Sequence, residues 1–286
     1  MYKLQIENVS FLYSKGTPFE RLALKDVSVG FEEGKITGLI GHTGSGKSTL
    51  VNLLNGLYRP MSGRILLDGK DIWSKPSEIS KIRFKVGLVM QYPEHQLFDE
   101  TVLSDIAFGP KNQGLSATEI SERVKEAIEF TGLSEELLNK SPFELSGGQK
   151  RRVAIAGILA MRPEVLVLDE PAAGLDPRGR REILGGLCEY VRKTGITLIL
   201  VSHSMEDMAH YCDNVVVMNE SEVFASGTVD EIFSRAADLE RIGLNVPVIS
   251  KICESLKKRG VPIDGKLYTV DGAEAAIIKL LGGEGK

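Results

Sequence analysis

An α/β fold is predicted by three observations. Short apolar runs of strand length recur at residues 36–40, 86–90, 165–168 and 197–201, rich in Val, Ile and Leu. Helical patterns lie between them, two opened by capping-box pairs, Ser116 with Glu119 and Ser146 with Gln149. The third observation is Gly41-His42-Thr43-Gly44-Ser45-Gly46-Lys47-Ser48-Thr49, which fits G-x-x-x-x-G-K-[ST]. Its glycines let the backbone curl so that successive N–H groups converge on phosphate oxygens, and the helix behind adds a fixed positive end. Lys47 would reach the β- and γ-phosphates, and the Ser48 hydroxyl would complete a Mg²⁺ shell. The motif predicts a nucleoside triphosphate site.

Composition narrows the class. The chain has 286 residues, 42% hydrophobic and 26% charged, enough for one large domain or one with a small appendage. A net charge of −4 gives no broad basic surface, so nucleic acid is not an expected partner. Cys188, Cys212 and Cys253 form no C-x-x-C pair, which fits packed thiols in a reducing compartment. No apolar run approaches the roughly 18 residues of a membrane span. The start, Met1-Tyr2-Lys3-Leu4-Gln5-Ile6, alternates like a strand and lacks the apolar centre of a signal peptide. Work at a membrane would therefore go through a partner.

The elements follow in order. Residues 3–40 read as strand-rich, with a Glu33-Gly34 turn delivering a strand into the phosphate loop. Tyr13 ends the first strand, where a ring could stack on a purine or simply pack. Leu50-Val51-Asn52-Leu53-Leu54 starts the helix behind the loop. Residues 62–69 form a short strand closed by Asp68-Gly69. The strand at 86–90 ends at Gln91, and Tyr92-Pro93-Glu94-His95-Gln96-Leu97-Phe98 is irregular. A short helix is expected from Thr101 to Phe108, and a longer one from Ser116 to Phe130. Gly147 and Gly148, just inside a helix start, cost about 1 kcal/mol each relative to Ala. That cost points to something approaching the backbone closely, an anion being the natural candidate; the plain alternative is a capping loop.

The buried strand at 165–168 ends in Asp169-Glu170. Coupled to a phosphate loop, Asp169 would hold Mg²⁺ and Glu170 would orient and deprotonate the attacking water. Gly174-Leu175-Asp176-Pro177 launches a helix to about Arg192, and His203 follows the strand at 197–201. A hairpin over 214–218 and 222–225 completes the sheet. Helices are expected at 238–242, 248–258 and 273–281, with a frayed tail over 282–286.

Together these motifs resemble an ABC-type ATPase over residues 3–232. The fold this implies is α/β: a P-loop NTPase (RecA-like) core with an N-terminal antiparallel β subdomain and a helical insertion subdomain at about 92–162. The ATP-binding domain would span 1–232, and residues 233–286 would be a small C-terminal helical dimerisation or accessory region. The resemblance implies a head-to-tail dimer enclosing two ATPs, with Mg²⁺. Each phosphate loop, residues Gly41 to Thr49, would face Ser146-Gly147-Gly148-Gln149 of the other subunit, and Asp176 would bridge the dimer. Tyr13 becomes an adenine-stacking residue. Glu170, His203, Gln91 and Lys47 form the implied catalytic set; Ser48, Gln91 and Asp169 form the metal set. Ala172-Ala173-Gly174 departs slightly from the usual run, and no core motif is degenerate.

Gln91 to Phe98, Phe108-Gly109-Pro110 and the helical appendage resemble an energy-coupling factor (ECF) transporter ATPase, particularly the second of two paired ATPases. This implies an ATP-hydrolysing subunit of an importer of a vitamin or other micronutrient, peripheral at the cytoplasmic face of the membrane. Its partners would be a second ABC ATPase, a heterodimer being favoured over a homodimer, a transmembrane coupling subunit resting near residues 91–108, and a substrate-binding membrane component. The alternatives are a homodimeric cobalt or nickel importer ATPase and a soluble ABC ATPase without transport. Acidic Glu94 and Asp99 are expected to meet basic helices of the membrane subunit.

Overall fold

The alternating start of the chain forms one strand of an antiparallel ribbon: β1 (Tyr2–Tyr13) pairs with β2 (Arg21–Glu32). The computed structural model describes residues 1–265 and 267–282. β3 (Ile36–Gly41) is buried at every position and runs into the phosphate loop and α1 (Lys47–Leu54). β4 (Ser62–Leu67) and β5 (Lys70–Asp71) extend the first sheet. An unforeseen helix, α2 (Ile79–Lys85), precedes β6 (Val86–Val89); none of its residues is fully buried, and seven residues are too few to show a helical period. α3 (Val102–Asn112) is capped by Thr101 and Ser104 and runs past the expected end at Phe108, through Pro110. A proline there forfeits one backbone hydrogen bond, and burial of its ring offsets the loss.

α4 (Ala117–Thr131) starts on the Ser116–Glu119 capping box and stops at left-handed Gly132. α5 (Gly147–Leu159), β7 (Val165–Asp169), α6 (Pro177–Thr194) and β8 (Thr197–Val201) follow. α7 (Met205–Tyr211) was not anticipated: it is short, and its start is set by the Ser204 hydroxyl accepting the Asp207 N–H. β9 (Asn214–Asn219) and β10 (Glu222–Thr228) make the hairpin, longer than expected. α8 (Val229–Phe233), α9 (Ala236–Arg241), α10 (Val248–Lys258) and α11 (Val270–Leu280) complete the described chain. The expected frayed tail lies, from residue 283 on, outside the described residues.

The main sheet has the order β10-β9-β3-β8-β7-β6, parallel from β9 to β6. Parallel strands are covered on both faces, and side chains alternate between the two. Leu166, Leu168, Leu198 and Leu200 pack into a core with α3 to α6. Their neighbours Val165, Val167, Ile199 and Val201 pack into a second core with α1 and the antiparallel sheet. Registers Ile36↔Leu198, Val165↔Thr197 and Val86↔Val165 align the strand starts. The C-terminal ends are therefore level, and whatever follows β3, β8, β7 and β6 lines one edge.

Leu239, Leu244 and Val246 join the first core, whereas Cys253, Ile263, Ala273 and Ala276 form a small core of their own. Tyr268 ties this region back to α8, stacking on Phe233 and donating its hydroxyl to Asp230.

Candidate functional site

Four adjacent parallel strands deliver the phosphate loop, His203, Asp169-Glu170 and Gln91 to that edge. In the loop, Gly46 has φ +103°, and an added Cβ would lie 2.6 Å from the Ala23 carbonyl oxygen. Only glycine fits that conformation and that approach. Lys47 is buried; its Nζ donates to the carbonyls of Gly41 at 2.6 Å and His42 at 2.8 Å. Burial pushes its ammonium below the ordinary value, against the opposing pull of Glu170 and Asp169. An ammonium held by carbonyls beside two carboxylates can turn to phosphate oxygens when they arrive.

Asp169 closes β7, with the Ser48 hydroxyl facing it. Burial, then the neighbouring Glu170, pushes the Asp169 carboxyl above its ordinary value. Glu170 has φ +50°, an uncommon conformation for a residue with a side chain. Its backbone N–H donates to the Val201 carbonyl at 3.0 Å, fixing the turn to β8. The His203 Nε2 lies 2.8 Å from Glu170 Oε1, and Gln91 Nε2 donates to Oε2 at 3.3 Å. One carboxylate is thus aimed by groups from two flanking strand ends. Among the described residues no cluster of three or more His, Cys, Asp or Glu could hold a metal unaided. A hydroxyl and a carboxylate, Ser48 and Asp169, suit a hard cation that keeps oxygens from phosphate and water.

A cavity of about 320 Å³ connects these groups. Of the expected residues it is lined by Tyr13, Thr43, Gly44, Gly46 and Lys47 to Thr49, with Gln91, Asp169, Glu170 and His203 opposite. The Tyr13 hydroxyl is 3.0 Å from Thr49 Oγ1, and its ring sits edge-on to Phe11 and Tyr58. Arg21 and Ala23 also line the cavity and were missed. Their signal is the pairing of Arg21 with Tyr13, which strand register supplies and composition does not.

Gly41, His42 and Ser45 belong to the loop but do not line the cavity. The His42 ring instead reaches the carbonyl of Ile242, at 2.6 Å, linking the loop to the chain beyond α9.

The second expected set stands apart. Ser146 caps α5, its hydroxyl accepting the Gln149 N–H and the Gln149 side chain accepting the Ser146 N–H. An added Cβ on Gly147 or Gly148 would meet nothing within 4 Å. Asp176 caps α6, its carboxylate accepting the Gly179 N–H at 2.7 Å. None of these residues lines the cavity.

Glu94, expected to meet basic helices of a membrane subunit, is already paired within this chain. Arg151 of α5 grips it through Nε at 3.0 Å and Nη2 at 2.7 Å, with only 4% and 15% of the two side chains exposed. Arg151 Nη1 also donates to the Ala173 carbonyl at 2.5 Å, so one guanidinium joins the loop after Gln91, the start of α5 and the segment after Glu170.

The ABC transporter family matches residues 24–173. The chain is 54% identical over 280 residues to an energy-coupling factor transporter ATP-binding protein, EcfA2, of Caldanaerobacter subterraneus subsp. tengcongensis, covering 98% of both chains. It is 50% identical to the protein of the same description from Clostridium acetobutylicum, over 97% of this chain and 98% of that one. Among solved structures it resembles cbiO1 from Clostridium perfringens, part of the ABC transporter complex cbiONQ: TM-score 0.75, 42% identity, 88% of this chain and 99% of that one. A bacterial ABC transporter cassette solved as a dimer matches with TM-score 0.71 and 29% identity, over 79% of this chain and 98% of that one.

Proposed function

Since this chain belongs to the ABC transporter family, and within it to the energy-coupling factor transporter ATP-binding proteins, we propose that it is the ATP-hydrolysing subunit of an ECF-type importer. The observation that carries the chemistry is Glu170, half-buried at the cavity edge and aimed by His203 and Gln91. ATP lies with its triphosphate along the loop from Gly41 to Thr49 and its base toward Tyr13. Lys47 leaves the Gly41 and His42 carbonyls for the β- and γ-phosphates. Glu170 takes a proton from a water lined up with the γ-phosphorus, while His203 steadies the γ-phosphate and Gln91 positions the water. Charge spreading onto the phosphoryl oxygens meets Lys47 and loop N–H groups already in place. Ser48 and Asp169, with Gln91 nearby, would hold Mg²⁺, which would supply charge neutralisation on the triphosphate.

The site is finished by a second ATPase. Ser146 to Gln149 and Asp176 present polar groups and open glycine backbone away from this chain's own cavity, and a solved relative is a dimer. A heterodimer is our reading, because the resemblance is to the second of two paired ATPases. The membrane-spanning partner rests near residues 91–108, where Phe98 and Phe108 are exposed and meet edge-on at 4.9 Å. Among the described residues no helix is long and apolar enough to cross a membrane, which fits peripheral attachment at the cytoplasmic face. We take residues 1–232 as the ATP-binding unit and 233–286 as an accessory region; the separate small core of α10 and α11 supports this for its distal part, while Leu239, Leu244 and Val246 pack into the main core.

The test is to solubilise membranes gently, capture the tagged chain and identify what comes with it. A second cassette ATPase, an integral membrane protein and ATPase activity in the captured complex are expected. An active chain that arrives without any membrane protein would end the importer reading.

A further inference from the structure

We propose that Arg21 is a second phosphate-binding cation of this site, acting on the triphosphate alongside Lys47; the proposal rests on the ATP reading above. Arg21 is the first residue of β2 and lies directly opposite Tyr13, the last residue of β1. Residues paired across an antiparallel ribbon project from the same face. The ring and the guanidinium therefore overhang the same cavity, and both line it. The guanidinium also rests on the phosphate loop: Nη2 is 3.3 Å from where a Cβ on Gly44 would be.

Among the described residues, the Arg21 side chain has no ion pair and no hydrogen bond. A neighbouring long cation is occupied, since Lys25 is paired with Glu222. The charge count makes the idle group matter. Asp169 and Glu170 face Lys47 across the cavity, so with Lys47 alone the carboxylates outnumber the cations. Arg21 restores balance before a polyanion enters. A guanidinium is suited to this role, because its planar fork can bind two phosphate oxygens at once. Ribbon and loop then divide the nucleotide between them: Tyr13 meets the base and Arg21 the phosphates.

Titration of the wild-type chain with ATP, GTP and adenosine, in Mg²⁺ at fixed ionic strength, comes first. Failure of the wild type to bind ATP would overturn the ATP reading itself. Given wild-type binding, Arg21→Ala is expected to weaken ATP and GTP equally, by about tenfold, the scale of one charge-assisted contact. Adenosine binding should not change, and Arg21→Lys should recover part of the loss. ATP affinity within twofold of wild type in Arg21→Ala overturns the proposal. So does a loss that differs between ATP and GTP, or that extends to adenosine, since either would place Arg21 on the base. Because Arg21 is exposed, an unchanged melting temperature is expected for both variants.

Discussion

The helices α1, behind the phosphate loop, and α5, at Ser146, both begin on glycine-bearing turns, and they use glycine for different reasons. At Gly46 the chain itself demands glycine: φ is +103° and the Ala23 carbonyl stands where a Cβ would be. At Gly147 and Gly148 the chain demands nothing, since a Cβ on either would meet open space. Glycine nonetheless costs about 1 kcal/mol in a helix relative to alanine. The first turn is explained from within the fold. The second is not explained by this chain's own packing, and our proposal gives it the role of meeting a partner's nucleotide.

The comparison can be broken most forcefully at Glu170, the group both turns would serve. Glu170→Gln should keep ATP binding and slow turnover by roughly 10²–10⁴-fold; near-normal hydrolysis with the partner present would remove Glu170 as base. Next comes Gly46→Ala, which should destabilise the chain by about 1–3 kcal/mol and abolish measurable ATP binding. Retained binding there would mean that the loop can refit, and the contrast would lose its first half.

Glu94→Gln probes the anchor of α5 and should cost about 2 kcal/mol by leaving the Arg151 guanidinium half-paired. Burial raises the Glu94 carboxyl, but hydrogen bonds from Arg151 outweigh it and hold it below its ordinary 4.5. The stabilisation is therefore complete above that value and lost as pH falls through the lower folded one. Wild type and variant should differ in urea unfolding at neutral pH and converge in acid; a gap independent of pH would reject the ion pair as its cause. The smallest effect sharpens the contrast most. Gly148→Ala should stabilise the isolated chain slightly, by up to about 1 kcal/mol of helix propensity, read as a small rise in melting temperature. It should leave ATP binding intact and lower hydrolysis in the assembled pair. Full activity in that pair would leave the second turn without a purpose.

The strands and their chemistry were legible because each is a buried apolar run ending in a polar group: Leu168 before Asp169, Val201 before Ser202 and His203, Met90 before Gln91. Aligned parallel strands bring such ends together without further instruction. Features set by register or by distant pairing were not legible. Arg21 joins the cavity only because it faces Tyr13 across a ribbon. The pairing of Glu94 could not be read, because its partner, Arg151, comes 57 positions later. α2 and α7 escaped notice because seven residues give too little periodicity to read. Pro110 stands as a stop in the sequence, and burial of its ring let α3 continue.

The left-handed backbone at Glu170 carries one more consequence. Any L-residue held there sits about 1–2 kcal/mol above a relaxed conformation, a cost that glycine alone escapes. Selection for heat resistance would therefore favour removing the side chain at the position to which the proposed mechanism assigns the base. Robustness and activity are opposed at a single α-carbon, and a hardened variant of this protein has to gain its stability elsewhere.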